Sequence, residues 1–401
     1  MNYALRSNDI REANEKLVLN LIFQNNTISQ SQVVQQTGLK APTVFRIFAK
    51  LENAGFIRPC SLENLPDEPI ETERKGRRPS YFCVEPGCGY AIGVDFSTSG
   101  AAVILVDFRN QVIYRDSTEF SDPPDRDTTL SVIEHIIRRA LEETGVAAES
   151  VIGIGLAAPG VVDTVNGVVL EYLRIEGLSG FSLRGHFESI FETPVYVHNN
   201  ASVIASGAYH YGAARDEPSL LAVLVRFGVG AALVNHGQIF LNGTNTALEV
   251  GRTSTCAASA EDVAGDRSTL EMMIAEQPLL TRLKETFPVA DWLEADRELT
   301  VAQASAALTR ERLTFGMSVR NLYHVFHPDA ILLISRYRLL SEFLAESVRA
   351  ALPERRVIAM VYDPVQACYG ATDLVFQQFF RPTPGTEPAA LGAGPGPARF
   401  S

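Results

Sequence analysis

The chain has 401 residues, 46% hydrophobic and 20% charged, which is enough to bury two or three cores and excludes wholesale disorder. Its longest apolar run, Leu220 to Val234, is broken by Arg226 and falls short of the roughly 18 to 20 apolar residues of a membrane span. The formal net charge of -12 weighs against nucleic acid as a partner for the body of the chain, since a duplex repels an acidic surface.

That charge is unevenly placed. Residues 1–60 carry 7 Lys or Arg against 4 Asp or Glu, residues 61–73 carry only acids, and Arg74, Lys75, Arg77 and Arg78 form a basic knot. The pattern predicts an acidic body with a small basic reader attached. Asp9, Arg11, Glu12, Glu15 and Lys16 stand where an apolar signal core would sit, so a cytoplasmic location with no membrane partner is expected. The five cysteines, Cys60, Cys83, Cys88, Cys256 and Cys368, are odd in number and lack ligand-like spacing. Neither a disulfide framework nor a metal knuckle is expected.

In chain order, Ile10 to Phe23 reads as a helix ended by Asn25-Asn26. Ser29 or Gln30 opens a second, short helix that stops at Thr37-Gly38, where glycine supplies the positive φ of a tight turn between helices. A third helix begins near Ala41, because Pro42 is tolerated only in a first turn, and Val44, Ile47, Phe48 and Leu51 form its buried stripe. Thr43, Phe45, Arg46, Ala49 and Lys50 fall on the other face. Asn53-Ala54-Gly55 ends the helix, a strand begins at Phe56-Ile57, and Gly76-Arg77-Arg78-Pro79 follows a polar loop. Three helices and a hairpin make a winged helix-turn-helix.

The body alternates strands and helices. Tyr90–Asp95, Ala101–Asp107, Gln111–Tyr114 and Val151–Leu156 read as strands, as do Leu220–Arg226, Ala231–Val234 and Gln238–Leu241. Thr129–Glu143, Ser202–Tyr209, Thr269–Phe287 and Val301–Phe326 read as helices. The recurrence of a small sheet at the start of each half implies an internal duplication around a cleft. From Arg381 to Ser401 the chain has nine Pro or Gly in 21 residues, a composition expected to stay disordered.

These pieces resemble the repressor, open reading frame and kinase (ROK) family in its regulator branch, which includes repressors of N-acetylglucosamine, glucose and xylose genes. Thr37-Gly38-Leu39-Lys40-Ala41-Pro42-Thr43-Val44 is similar to the family's T-G-L-S-x-P-T-V turn, and Gly76-Arg77-Arg78-Pro79 to its G-R-R-P element. Gly153 to Asp163 resembles G-I-G-x-A-x-P-G-x-V-D, and Gly243 to Gly251 resembles G-x-N-x-x-A-G-E-I-G. The resemblance implies an α/β, two-lobed actin-like (ribonuclease-H-like) sugar-kinase fold preceded by an all-α winged helix-turn-helix domain. Its expected limits are 1–80 for the DNA-binding domain, 81–380 for the sensor and oligomerisation domain, and 381–401 for the tail.

At the positions where the family's kinases act, this chain departs. The D-x-G-G-T-K turn is Asp95-Phe96-Ser97-Thr98-Ser99-Gly100, so side chains stand where bare backbone approaches phosphate. G-T-G becomes Arg226-Phe227-Gly228, N-D-A-N becomes Asn199-Asn200-Ala201-Ser202, and a glycine pair becomes Ser335-Arg336. An amide at Asn200 cannot accept a hydroxyl proton, a service worth roughly 100- to 10,000-fold in rate. The family's zinc set is also missing: Arg252 replaces its histidine, and Cys256 is the only cysteine between Arg252 and Cys368.

The reading is a DNA-binding transcriptional regulator of carbohydrate genes, a repressor by resemblance, that senses a sugar or sugar derivative with a degraded kinase body and uses no cofactor, metal or catalytic residue. Lys40, Thr43, Phe45, Arg46, Lys50, Arg77 and Arg78 are the candidate contacts to a double-stranded operator. Asn199, Asn200, Glu249, Arg252 and Glu271 are the candidate sugar contacts, although Asn199, Asn200 and Ser202 serve equally as helix caps. A homodimer or homotetramer is expected. The alternatives are an ATP-dependent sugar kinase with a regulatory DNA-binding head, and a DNA-binding scaffold governed by a partner protein.

Overall fold

The computed structural model describes residues 7–60, 80–215, 217–255 and 268–381 and divides into two compact units. Gly76-Arg77-Arg78-Pro79, Cys256 and the tail from 382 onward lie outside the described residues.

The first unit takes in residues up to 91, with 106–113 and those from 376. It opens with α1 (Ser7–Asn25), β1 (Ile28–Ser29), α2 (Gln30–Thr37), α3 (Ala41–Asn53), β2 (Ile57–Pro59) and β3 (Tyr81–Val84). Ser29 caps α2 by accepting from the Gln32 amide while the Gln32 side chain accepts from the Ser29 amide, a reciprocal capping box. Gly38, at φ 68°, ends that helix and donates its N–H to the Val34 carbonyl. Pro42 lies in the first turn of α3, where its missing N–H has no intrahelical partner to lose. Val44, Ile47, Phe48 and Leu51 are buried, as their spacing predicts.

β3 is the central strand of the wing. It pairs antiparallel with β1 and β2, setting Ile28 opposite Phe82 and Ile57 opposite Val84. Phe48 meets the edge of Phe82 at a centroid distance of 5.0 Å, which ties α3 to the sheet. In the same unit Phe23 packs 4.7 Å from Phe376 and 5.1 Å from Phe380.

The second unit, residues 92–105 and 114–375, holds the cores of two five-stranded sheets. The first half contains β4 (Tyr90–Ser97), β5 (Gly100–Asp107), β6 (Val112–Glu119), α4 (Arg126–Thr144), β7 (Val151–Ala158), β8 (Val161–Asp163), β9 (Val168–Glu171), β10 (Phe181–Ser182), α5 (Leu183–Phe191), β11 (Val195–Asn199) and α6 (Asn200–Tyr211). In the second half β12 (Ser219–Val225), β13 (Val229–Asn235) and β14 (Gln238–Ile239) are followed by α7 (Leu270–Ile274), α8 (Glu276–Lys284), α9 (Trp292–Glu298), α10 (Val301–Ala307) and α11 (Thr309–Phe326). β15 (Ala330–Ser335), α12 (Arg338–Ala351), β16 (Arg356–Val361) and α13 (Pro364–Phe380) complete it.

The strand orders are β6-β5-β4-β7-β11 and β14-β13-β12-β15-β16. Each sheet therefore has three sequential strands, then two more added beside the first, and the last strand of each is followed by a helix. The duplication expected from sequence is present in the topology. β11 runs parallel to β7, and β15 runs parallel to both β12 and β16. Such strands are covered on both faces, which is why they read as continuous apolar runs. One face of the second sheet packs Val223, Ile331 and Leu333 with Phe315 and Phe343; the other packs Ala222, Leu224 and Leu332 with Ala201 and Ile204 of α6.

Two predicted helices are each broken in two. The 269–287 helix stops at Ala275, which is extended at φ -60° and ψ 158°. Pro278 explains the break, because it has no N–H for the Ile274 carbonyl and its ring would clash there. The 301–326 helix breaks at Leu308, at φ -104° and ψ 37°. Among the described residues no helix is long and apolar enough to cross a membrane.

Candidate nucleic-acid face and ligand cleft

On α3 the buried stripe leaves Phe45, Arg46 and Lys50 exposed, with Lys40 exposed just before the helix and Thr43 half-buried. Phe45 is 56% exposed, a large apolar side chain on the face that the turn presents. The turn itself is pinned: the Thr37 hydroxyl donates to the Val33 carbonyl at 2.7 Å and accepts from the Leu39 amide at 3.2 Å. Thr43, Arg46, Ile47 and Lys50 share a cleft of ≈ 420 Å³ with Ile10, Arg11, Asn14 and Glu15 of α1. Lys50 Nζ pairs with Glu15 at 2.6 Å across it. Arg11 adds a cation that sequence reasoning did not single out, since it belongs to no turn or motif. Of the predicted DNA contacts, Lys40, Thr43, Phe45, Arg46 and Lys50 are thus gathered at one helix, while Arg77 and Arg78 lie outside the described residues.

The second unit has a cleft of ≈ 370 Å³ where strand ends converge. Ser97 ends β4, Pro159 and Gly160 follow β7, Asn199 and Asn200 join β11 to α6, and residues 226–230 turn from β12 into β13. The crevice beyond the carboxyl ends of strands is the usual ligand position in open α/β sheets. Asn199, Asn200, Glu249, Arg252 and Glu271 all line it. Their surroundings differ. The Asn199 side chain accepts from the Ala201 amide at 2.9 Å and donates to the Gly160 carbonyl at 2.6 Å, so it holds the helix start and the β7 turn together. Arg252 pairs with Glu171 at 2.7 Å and lies 3.7 Å from Glu249. Burial raises the Glu249 carboxyl above its ordinary range; Arg252 opposes the shift, and Glu171 and Glu271 add to it. Glu271 accepts from the Val229 amide at 3.3 Å, fixing the β12–β13 turn.

Deeper in, Arg226 is only 5% exposed. Its Nη2 donates to Ser97 Oγ at 3.1 Å, and its guanidinium carbon lies 4.2 Å from the centre of the Tyr362 ring. The Tyr362 hydroxyl donates to Asp95. Burial pushes the Asp95 carboxyl up to about 6, against the opposing charge of Arg226 and the Tyr362 hydrogen bond. Phe227 has Arg336 4.6 Å from its ring centre, and Arg174 donates to its carbonyl at 2.9 Å. Arg336 is in turn paired with Glu276. Side chains therefore fill the two turns. Sequence reasoning missed Tyr172, Arg174 and Tyr362; the signals it had for Arg226 were a lone charge inside an apolar run and its place in the altered G-T-G turn. Among the described residues no group of three His, Cys, Asp or Glu is placed to hold a metal ion.

Known proteins extend this picture. Residues 91–368 match the ROK family, and residues 11–58 match a winged helix-turn-helix DNA-binding family. The xylose repressor of Caldicellulosiruptor bescii is 23% identical over 370 residues, covering 88% of this chain and 90% of that protein. The DNA-binding transcriptional dual regulator NagC of Escherichia coli is 23% identical over 359 residues, covering 86% and 85%. The crystal structure of a ROK family transcriptional regulator, a homologue of the E. coli MLC protein, has a TM-score of 0.72 at 18% identity and covers 93% of this chain and 97% of its own. A ROK family glucokinase from Streptomyces griseus, in complex with glucose and AMPPNP, has a TM-score of 0.61 at 20% identity and covers 72% of this chain and 100% of its own. With two thirds of its length matched by the family and a winged helix-turn-helix ahead of that match, the chain belongs to the ROK family.

Proposed function

We propose that this chain is a DNA-binding transcriptional regulator of sugar genes whose ROK body senses a small sugar-type effector without phosphorylating it. One observation carries the reading: a capped helix-turn-helix with Phe45, Arg46 and Lys50 turned outward precedes a body whose cleft is lined by Asn200, the residue that the family resemblance aligns with the kinases' catalytic aspartate. The full-length likeness to named repressors supports it. Helix α3 enters the major groove, with Thr43 and Phe45 at base edges and Lys40, Arg46 and Lys50 at bases or phosphates, while Arg77 and Arg78 reach the neighbouring minor groove. In the body, Asn200, Glu249 and Glu271 offer polar groups for sugar hydroxyls; Asn199 and Arg252 set the walls.

The kinase alternative needs bare backbone for a nucleotide's phosphates and a carboxylate to take the hydroxyl proton. Here Ser97, Arg226 and Phe227 occupy the turns, and Asn200 is an amide. Coupled ADP-release assays on the purified chain with xylose, glucose and N-acetylglucosamine are expected to stay at the level of a heat-killed control. Sugar-dependent ADP release would overturn the non-enzymatic reading.

A further inference from the structure

Six charged side chains line the cleft, and they are not equally neutralised. Glu171 and Glu249 gather on Arg252, and Glu271 is held by the Val229 amide. Arg174 and Arg226 line the same cleft and pair with none of these carboxylates. Arg226 is the unusual one. It is more than nine-tenths buried, yet its Nε and Nη1 meet no acceptor among the described residues, and only Nη2 is engaged, by Ser97. Asp95 feels the charge of Arg226, but Tyr362 holds its Oδ2 and, among the described residues, no ion pair joins it to the guanidinium. A guanidinium taken from water without an acceptor is costly unless something else supplies the oxygen. Its placement on the Tyr362 ring fixes the group in one orientation. Planar, preset and underused, it has the donor geometry that carboxylates and phosphates match.

We propose that the effector of this cleft is an anionic sugar, carrying a phosphate or a carboxylate that seats on Arg226 with Arg174 at the rim. The inference rests on the sensor reading above, in that it assigns the effector's chemical class. The hydroxyls face Asn200, Glu249 and Glu271; the two glutamates suit neutral donors and repel the anion, so the charges orient the ligand. The anion takes Nε and Nη1 while Ser97 keeps Nη2, which joins the ligand to the end of β4.

The test is a calorimetric and thermal-shift titration of the full chain at constant ionic strength with inorganic phosphate, glucose 6-phosphate, glucuronate, glucose, xylose and ATP. Inorganic phosphate is expected to raise the melting temperature, and at least one anionic sugar to bind tenfold or more tightly than either neutral sugar. Arg226→Gln should erase that difference. Arg174→Ala, at an exposed position, should reduce it severalfold, and carries the test if the buried variant does not fold. Equal or tighter binding of the neutral sugars, no protection by any anion including phosphate, or protection by ATP alone would each overturn the proposal. Release of DNA is scored separately: anion binding that leaves DNA affinity unchanged would refute the sensor reading and leave this assignment standing.

Discussion

Asp373 shows how a single buried carboxylate organises its neighbours. It accepts from Ser206 Oγ at 2.6 Å and from the Tyr211 hydroxyl at 2.9 Å, and lies 2.9 Å from His210 Nδ1. Burial pulls the His210 pKa down, but the hydrogen bond and charge of Asp373 outweigh it and the net shift is upward. A histidine whose folded pKa is raised adds stability below its ordinary value near 6.5, and that stability is lost as pH rises through the folded value. His210→Asn is therefore expected to cost about 2 kcal/mol at pH 6, the worth of a hydrogen bond to a charged group. In urea unfolding the gap to the parent should narrow by pH 8.5; an equal gap at both would mean that the imidazolium is not the stabilising species. Phe45 makes the converse case. More than half of it is exposed and it lies off the buried stripe of α3, so Phe45→Ala should change stability by less than about 0.5 kcal/mol. Loss of an apolar contact to a thymine methyl should nonetheless weaken operator binding on the order of tenfold, read by fluorescence anisotropy.

At the level of elements, the close approach of α13 to the first sheet depends on missing side chains. A Cβ on Gly155 would overlap the Ala371 carbonyl, and one on Gly93 would overlap that of Cys368. Gly155→Ala is expected to destabilise the chain by more than about 3 kcal/mol, visible as a lowered melting temperature, because backbone rather than a flexible side chain must move. The sequence announced Gly155 as part of a motif without giving the reason for it. It was most legible where punctuation was local: Ser29, Gly38 and Pro42 place the ends of α2 and α3 to within a residue. It was least legible where burial is complete. Residues 370–376 of α13 are buried on every side, so no 3.6-residue stripe exists to be read. Pro278 was a readable stop inside a predicted helix, whereas the break at Leu308 has no Gly or Pro to mark it. In the cleft, motif positions led to Asn200, Glu249 and Glu271. Arg226 was placed at a turn by its motif position, but its unsatisfied donors emerged only when its burial was known, because a single arginine in an apolar run looks from sequence like a surface interruption.

For the molecule as a whole, a chain of net charge -12 with its basic residues gathered in a small reader is expected to need more than one head for affinity. Each phosphate neutralised adds close to one unit to the salt slope, and one winged helix offers few. A dimer or tetramer with paired heads answers this and predicts inverted half-sites separated by whole turns of the duplex. Replacing Arg77 and Arg78 together with Ala should weaken binding and flatten the salt dependence by about two units. Unchanged affinity at every salt concentration would remove these residues from the interface. The central claim, that this chain reads DNA, is tested most directly by footprinting the full chain on fragments selected from its own genome. The account predicts protection of two inverted half-sites, with a preference over random duplex of at least a thousandfold at physiological salt. Binding with no preference for any sequence would contradict it.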